Sequence, residues 1–146
     1  MSYVEHTAEL KPGFKPKRMR EYKVPECFKA EVEKQLKEML ASGIITESNT
    51  PMASPLVVVQ KRGPAGEFRG LRLAVDYRCV NSYTVSDAFP VPDIEDVIQR
   101  VGSKRYLSTF DCKSSYWQTC IAESCKFLTG FCCLGRLFSL NEHRLA

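Results

Sequence analysis

At 146 residues, 44% hydrophobic and 26% charged, the chain has the length and composition of one domain with a buried core. Its seven cysteines are odd in number and contain no Cys-x-x-Cys, and with only His6 and His143 beside them they argue against a zinc site and for free thiols in a reducing compartment. The net charge of +4 is compatible with a polyanionic partner without demanding one. No apolar stretch approaches the roughly 20 residues that span a membrane. Met1 to Lys17 carry charges and prolines rather than an apolar leader. The expected location is intracellular, in cytoplasm or nucleus, with no membrane partner.

Residues 1–22 lack a hydrophobic period and contain Pro12, Gly13 and Pro16, so they read as an extended basic arm. Lys11, Lys15, Lys17, Arg18 and Arg20 are expected to be solvated. Residues 25–42 read as a helix: Pro25 suits a first turn, Phe28, Val32, Leu36, Met39 and Leu40 share a face, and Gly43 is a terminal cap. Ser48-Asn49-Thr50-Pro51 is a turn. Leu56 to Val59 reads as a strand and Leu71 to Tyr77 as its return, with Leu71, Leu73 and Val75 on one face and Arg72 and Asp76 on the other. Lys61 to Gly66 makes a basic tip between them, giving a β-hairpin. Residues 82–92 are irregular around Pro90 and Pro92. Asp93 to Val101 reads as a short helix with an apolar stripe of Ile94, Val97, Ile98 and Val101, ended by Gly102. Arg105 to Asp111 reads as a strand, Ser114 to Thr119 as a helical turn, and Phe127 to Cys133 and Leu137 to Leu140 as two more short strands.

Three groups of residues carry chemistry. Asp111, at the end of the predicted strand, is a rigid carboxylate suited to a metal ion, although an aspartate there also caps a turn. Tyr116 lies five residues on, so its ring can stand beside that carboxylate under a sugar; with Trp117 it can equally be core. Lys61, Arg62 and Arg72 on the hairpin can hold a polyphosphate, or keep an exposed edge soluble. Asp76, Arg78 and Asn81 offer donors and acceptors to a nucleic-acid backbone, or form a local ion pair and a turn.

The order of these strings resembles the N-terminal half of a reverse transcriptase (an RNA-directed DNA polymerase) from a gypsy-like long-terminal-repeat retrotransposon Pol polyprotein. The resemblance rests on Leu40-Ala41-Ser42-Gly43-Ile44-Ile45 with Ser48-Asn49-Thr50-Pro51, then Ala53-Ser54-Pro55-Leu56-Val57-Val58-Val59-Gln60-Lys61. It continues through Arg72-Leu73-Ala74-Val75-Asp76-Tyr77-Arg78 with Asn81, Asp87-Ala88-Phe89-Pro90-Val91-Pro92, and Phe110-Asp111 through Tyr116-Trp117-Gln118. It implies an α+β fold: right-hand polymerase fingers with an incomplete ferredoxin-like palm. After the arm of residues 1–22, residues 23–146 would be a partial reverse transcriptase domain. Residues 23–90 would be fingers, 91–118 the first palm segment and 119–146 a return to the fingers. Asp111 would be the first metal-binding aspartate, with the Cys112 carbonyl as a second oxygen for Mg2+. Lys61, Arg72, Cys112 and Tyr116 would contact the incoming dNTP, Tyr116 as the gate against a ribose 2′-hydroxyl. Asp76, Arg78 and Asn81 would lie near the template of a primer–template. The rest of a Pol polyprotein would be a further partner.

The departures are also specific. Ser115 stands where the family has glycine, and Leu128-Thr129-Gly130-Phe131 loses a family lysine. Between Lys61 and Arg72 the chain is a few residues too long for the family pattern, so Arg69 competes with Arg72 for the phosphate role, although Arg72 fits the spacing to Asp76. No Tyr-x-Asp-Asp occurs in the chain, nor any Asp-Asp pair. Two-metal phosphoryl transfer needs carboxylates that grip both ions, so the chain by itself is expected not to polymerise. The alternatives are a non-catalytic nucleic-acid-binding remnant and a non-functional retroelement relic.

Overall fold

A computed structural model describes residues 5–112 and 119–141 of the chain. In chain order the elements are β1 (Glu5–His6), α1 (Glu26–Ala41), β2 (Ile45–Glu47), β3 (Ser54–Arg62), β4 (Phe68–Val75), α2 (Arg78–Tyr83) and α3 (Ile94–Gly102). After the gap come β5 (Cys120–Ile121), a 3-10 helix over Glu123–Thr129, β6 (Phe131–Cys133) and β7 (Arg136–Leu140).

Helix α1 starts after Pro25, whose φ of −55° is already close to helical. It buries Val32 and Leu36, with Phe28, Met39 and Leu40 packed at the margin. Gly43 ends it with φ +67°; its N–H donates to the Leu40 carbonyl (3.0 Å) and the Ile44 N–H to the Met39 carbonyl (2.9 Å). That pair of bonds is the Schellman cap, which requires a left-handed residue where this glycine stands. The cap turns the chain directly into β2.

Five strands form one sheet in the order β2-β7-β6-β3-β4, antiparallel throughout except for β3 beside β6. Between β3 and β4 the register pairs Leu56 with Val75, Val58 with Leu73 and Val59 with Arg72. Leu71, Leu73 and Val75 therefore face the core as the alternation predicts. β6 and β7 are joined by Leu134-Gly135, both at positive φ (51° and 72°), the geometry of a two-residue hairpin turn. Gly130 opens β6, and a Cβ there would collide with the Met52 carbonyl, so only glycine lets the two backbones close up.

The main core lies between α1 and the sheet: Val24, Val32, Leu36, Ile45, Leu56, Leu71, Phe131, Cys133 and Phe138. A second core, around Met52, Val80, Cys125 and Leu128, packs against Ala8, Leu10 and Phe14 of the arm. The arm is thus not a solvated tail. The Lys11 N–H donates to the Tyr83 carbonyl (2.7 Å) and the Met19 N–H to the Ala53 carbonyl (2.8 Å). Arg18 is tied down too: its Nε donates to the Thr50 carbonyl (3.1 Å) and its guanidinium to the Asn49 side-chain oxygen (2.7 Å). These anchors are irregularly spaced, which hides them from a search for periodicity.

Three other expectations are corrected. Residues 105–111 form no strand; they run without regular structure and every residue is exposed. A strand forms only when neighbours complete its ladder, and no described strand lies beside this segment. Residues 123–129 are a 3-10 helix rather than the start of a strand, with Cys125, Leu128 and Thr129 turned inward at helical spacing. Asn81, expected in a turn, sits in the short helix α2, where its N–H donates to the Tyr77 carbonyl (2.8 Å). The expected helical turn at 114–119 lies almost wholly outside the described residues. Among the described residues no helix is long and apolar enough to cross a membrane.

Candidate nucleic-acid interface

The outer end of the β3–β4 pair is basic on one face, while on β4 Phe68 stacks on Phe28 of α1 with ring centroids 6.2 Å apart. Val59, Gln60, Lys61, Arg62, Arg69 and Arg72 line an open concavity of about 380 Å3. Arg72 reaches it because it pairs with Val59 on the face opposite Leu71 and Leu73. At the tip Glu67 accepts from the Ala65 N–H (3.1 Å) and from Arg69 Nε (2.8 Å), and its oxygens crowd Gly63. Arg69 is therefore partly neutralised by its own loop. Among the described residues Lys61, Arg62 and Arg72 have no carboxylate partner. Three unpaired cations around one hollow favour a ligand with several phosphate oxygens. The structure brings Lys61 and Arg72 together as the sequence suggests, and the competitor Arg69 is the one with an internal partner.

A second cluster begins where β4 ends. Asp76, its side chain only 9% exposed, accepts from Arg78 Nε at 2.8 Å, from Arg78 Nη2 at 2.6 Å and from the Arg78 N–H at 3.2 Å. The Tyr22 hydroxyl donates to the same carboxylate at 2.9 Å. The bonds from the Arg78 side chain, then its backbone, then Tyr22, hold the Asp76 carboxyl well below the usual carboxylate range. The local ion pair exists, and it fixes the Arg78 guanidinium without covering it: that side chain stays 83% exposed. Tyr77, next in sequence, points the other way, donating to the Thr129 carbonyl (3.0 Å), and burial pushes its phenol up. Tyr22 is the member that sequence reasoning missed. Asn81 is exposed on α2.

Asp111 and Cys112 join neither cluster. Both are exposed at the end of the described stretch, in the segment without a strand. Tyr116 lies outside the described residues. Among the described residues no three His, Cys, Asp or Glu side chains converge on a point where a metal ion could sit. The Asp111 carboxylate and the Cys112 carbonyl are two oxygens of the roughly six that magnesium takes, so an ion held there would bind weakly and draw the rest of its shell from water and substrate phosphates.

No protein-family model matches the chain. Individual proteins do. The retrovirus-related Pol polyprotein from transposon opus of Drosophila melanogaster is 34% identical over 105 residues, covering 72% of this chain and 10% of that protein. The enzymatic polyprotein of Cauliflower mosaic virus (strain NY8153) is 30% identical over 131 residues, 90% of this chain and 19% of that protein. A crystal structure of prototype foamy virus protease-reverse transcriptase superposes on 96% of this chain and 18% of its own, with TM-score 0.77 at 22% identity. The foamy viral protease-reverse transcriptase in complex with RNA/DNA hybrid covers 91% of this chain and 17% of its own, with TM-score 0.74 at 19% identity.

The fold is therefore α+β, of the kind found in the fingers and partial palm of a right-hand polymerase. The chain is related in sequence to the Pol polyproteins of retrotransposons and related viruses and has the fold of a segment of reverse transcriptase, and it spans less than a fifth of the length of the curated relatives named above.

Proposed function

We propose that this chain supplies the nucleic-acid- and nucleotide-facing fingers of a gypsy-like RNA-directed DNA polymerase, and that it does not polymerise by itself. The observation that carries the reading is the hollow lined by Lys61, Arg62 and Arg72 on a hairpin whose other face is locked into the core. A rigid strand pair presenting unpaired cations suits a triphosphate or the phosphates of a primer–template. Arg78, held by Asp76 and Tyr22, offers a second oriented donor, and with Asp76 and Asn81 we assign it to the template.

Polymerisation needs more than this. Asp111 is the residue we assign to the metal, with the Cys112 carbonyl beside it and Tyr116 as the sugar gate. Two protein oxygens would hold Mg2+ weakly, and no chemical step is assigned to them. The nucleic-acid partner is supported by foamy viral protease-reverse transcriptase structures in complex with dsDNA and with RNA/DNA hybrid; the divalent metal, the dNTP and the remainder of a Pol polyprotein are carried over from the family resemblance alone.

Two measurements test the reading. Fluorescence anisotropy with a labelled primer–template should show binding by the 146-residue chain at low salt, weakened about tenfold or more by Lys61→Ala with Arg72→Ala. Primer extension with magnesium or manganese should yield no product. Template-dependent synthesis that Asp111→Asn abolishes would overturn the inactivity, and absence of binding at low salt would overturn the interface.

A further inference from the structure

The basic hollow on the β3–β4 hairpin has a fourth cation on its rim, Arg69, beside Lys61, Arg62 and Arg72. The strand register explains how it gets there. Gln60 pairs with Leu71 and Arg62 with Phe68, so Lys61 alone stands opposite both Arg69 and Gly70. That irregularity is a β-bulge, with Gly70 at φ +111°. Bulges re-aim side chains, and this one brings Arg69 to the hollow.

The loop then holds that cation back. Arg69 Nε and Nη2 both meet Glu67 Oε1, at 2.8 Å and 2.7 Å. The other carboxylate oxygen accepts from the Ala65 N–H (3.1 Å), so the acid is fixed to the loop backbone as well. Gly63 makes the seat for the pair. Its φ lies outside the left-handed region, so backbone freedom is not what the position needs. A Cβ there would overlap the Glu67 carboxylate and Arg69 Nε, and glycine leaves the room. The overlapped atoms are far ends of flexible side chains, so a larger residue would push the pair aside and leave the hairpin standing. An exposed ion pair is weak by itself. The Ala65 bond and the Gly63 seat are what keep this one in place.

We propose, resting on the reading of this hairpin as a phosphate-binding element, that Glu67 sets how many cations the hollow offers. It withholds Arg69, so the phosphate oxygens of a ligand meet Lys61, Arg62 and Arg72 alone. Gly63 holds the acid where it can do so.

Two ligands test it on the 146-residue chain at low salt: inorganic tripolyphosphate by isothermal titration calorimetry, and a labelled primer–template by fluorescence anisotropy. Glu67→Gln keeps an oxygen for the Ala65 N–H but cannot neutralise Arg69. It should tighten binding about three- to tenfold. For the primer–template it should also steepen the slope of log affinity against log salt by about one. Gly63→Ala displaces the pair without changing net charge, and should tighten binding in the same way. Adding Arg69→Ala to either variant should remove the gain. A gain seen with tripolyphosphate assigns Arg69 to a triphosphate, and one seen with the primer–template assigns it to the nucleic-acid backbone; either supports the proposal. Wild-type binding that Glu67→Gln does not tighten would overturn it and leave the interface intact. So would a gain that Gly63→Ala does not share, because Glu67 would then act through net charge. No binding of either ligand by wild type or variants would overturn the reading of the hairpin itself.

Discussion

Asp76 shows how one side chain links the arm to the interface. It receives Tyr22 from residue 22 and Arg78 from two residues on, and both partners favour its charged form. A carboxyl whose folded value is lowered stabilises the fold fully above its unfolded value of about 4 and loses that contribution as pH falls toward the folded value. Denaturant unfolding should therefore show wild type more stable than Asp76→Asn by a constant margin above about pH 5, and a shrinking margin below about pH 4. A margin that does not change with pH would mean that the ion pair adds nothing to stability. Asp76 and Arg78 were legible in the sequence because they lie in one short string whose residue types suit the contact. Tyr22 was not, because its bond to Asp76 crosses 54 positions and no local pattern announces it.

Among the elements, those that bury one face read clearly. Helix α1 and the β3–β4 hairpin carry their own apolar periods and their own glycines, Gly43 and Gly66, at positive φ. The segment 105–111 has strand-like composition, yet a strand depends on neighbours that its own residues do not specify. The 3-10 helix over 123–129 is hidden in the sequence because Phe127, Leu128 and Thr129 run on into the β6 residues Phe131–Cys133 as one strand-like stretch, while its buried positions, Cys125, Leu128 and Thr129, follow a helical spacing. The order of the arm comes from backbone bonds, the Arg18 side chain and core packing with residues far along the chain, which no local pattern announces. That order is measurable. In native-state hydrogen exchange the amides of Lys11 and Met19 should be protected, and those of Lys15 and Arg20 should not. Phe14→Ala, which removes ring contacts with Tyr83 and Phe127, should lower protection at Lys11; an unchanged rate would show that the arm is held by its hydrogen bonds alone.

At the scale of the molecule the chain has an uneven build. Its sheet and two cores are closed, while residues 85–112 carry apolar side chains that no described element covers. The composition did not foretell this, because a buried stripe and an unpartnered one have the same sequence period. The basic hairpin belongs to the closed part, so its role can be tested without the open one. The most direct test is the salt dependence of primer–template binding. The logarithm of affinity should fall linearly with the logarithm of salt, and Lys61→Ala and Arg72→Ala should each shallow the slope by about one. No binding at low salt, or slopes that both substitutions leave unchanged, would contradict the assignment of this hairpin to nucleic acid.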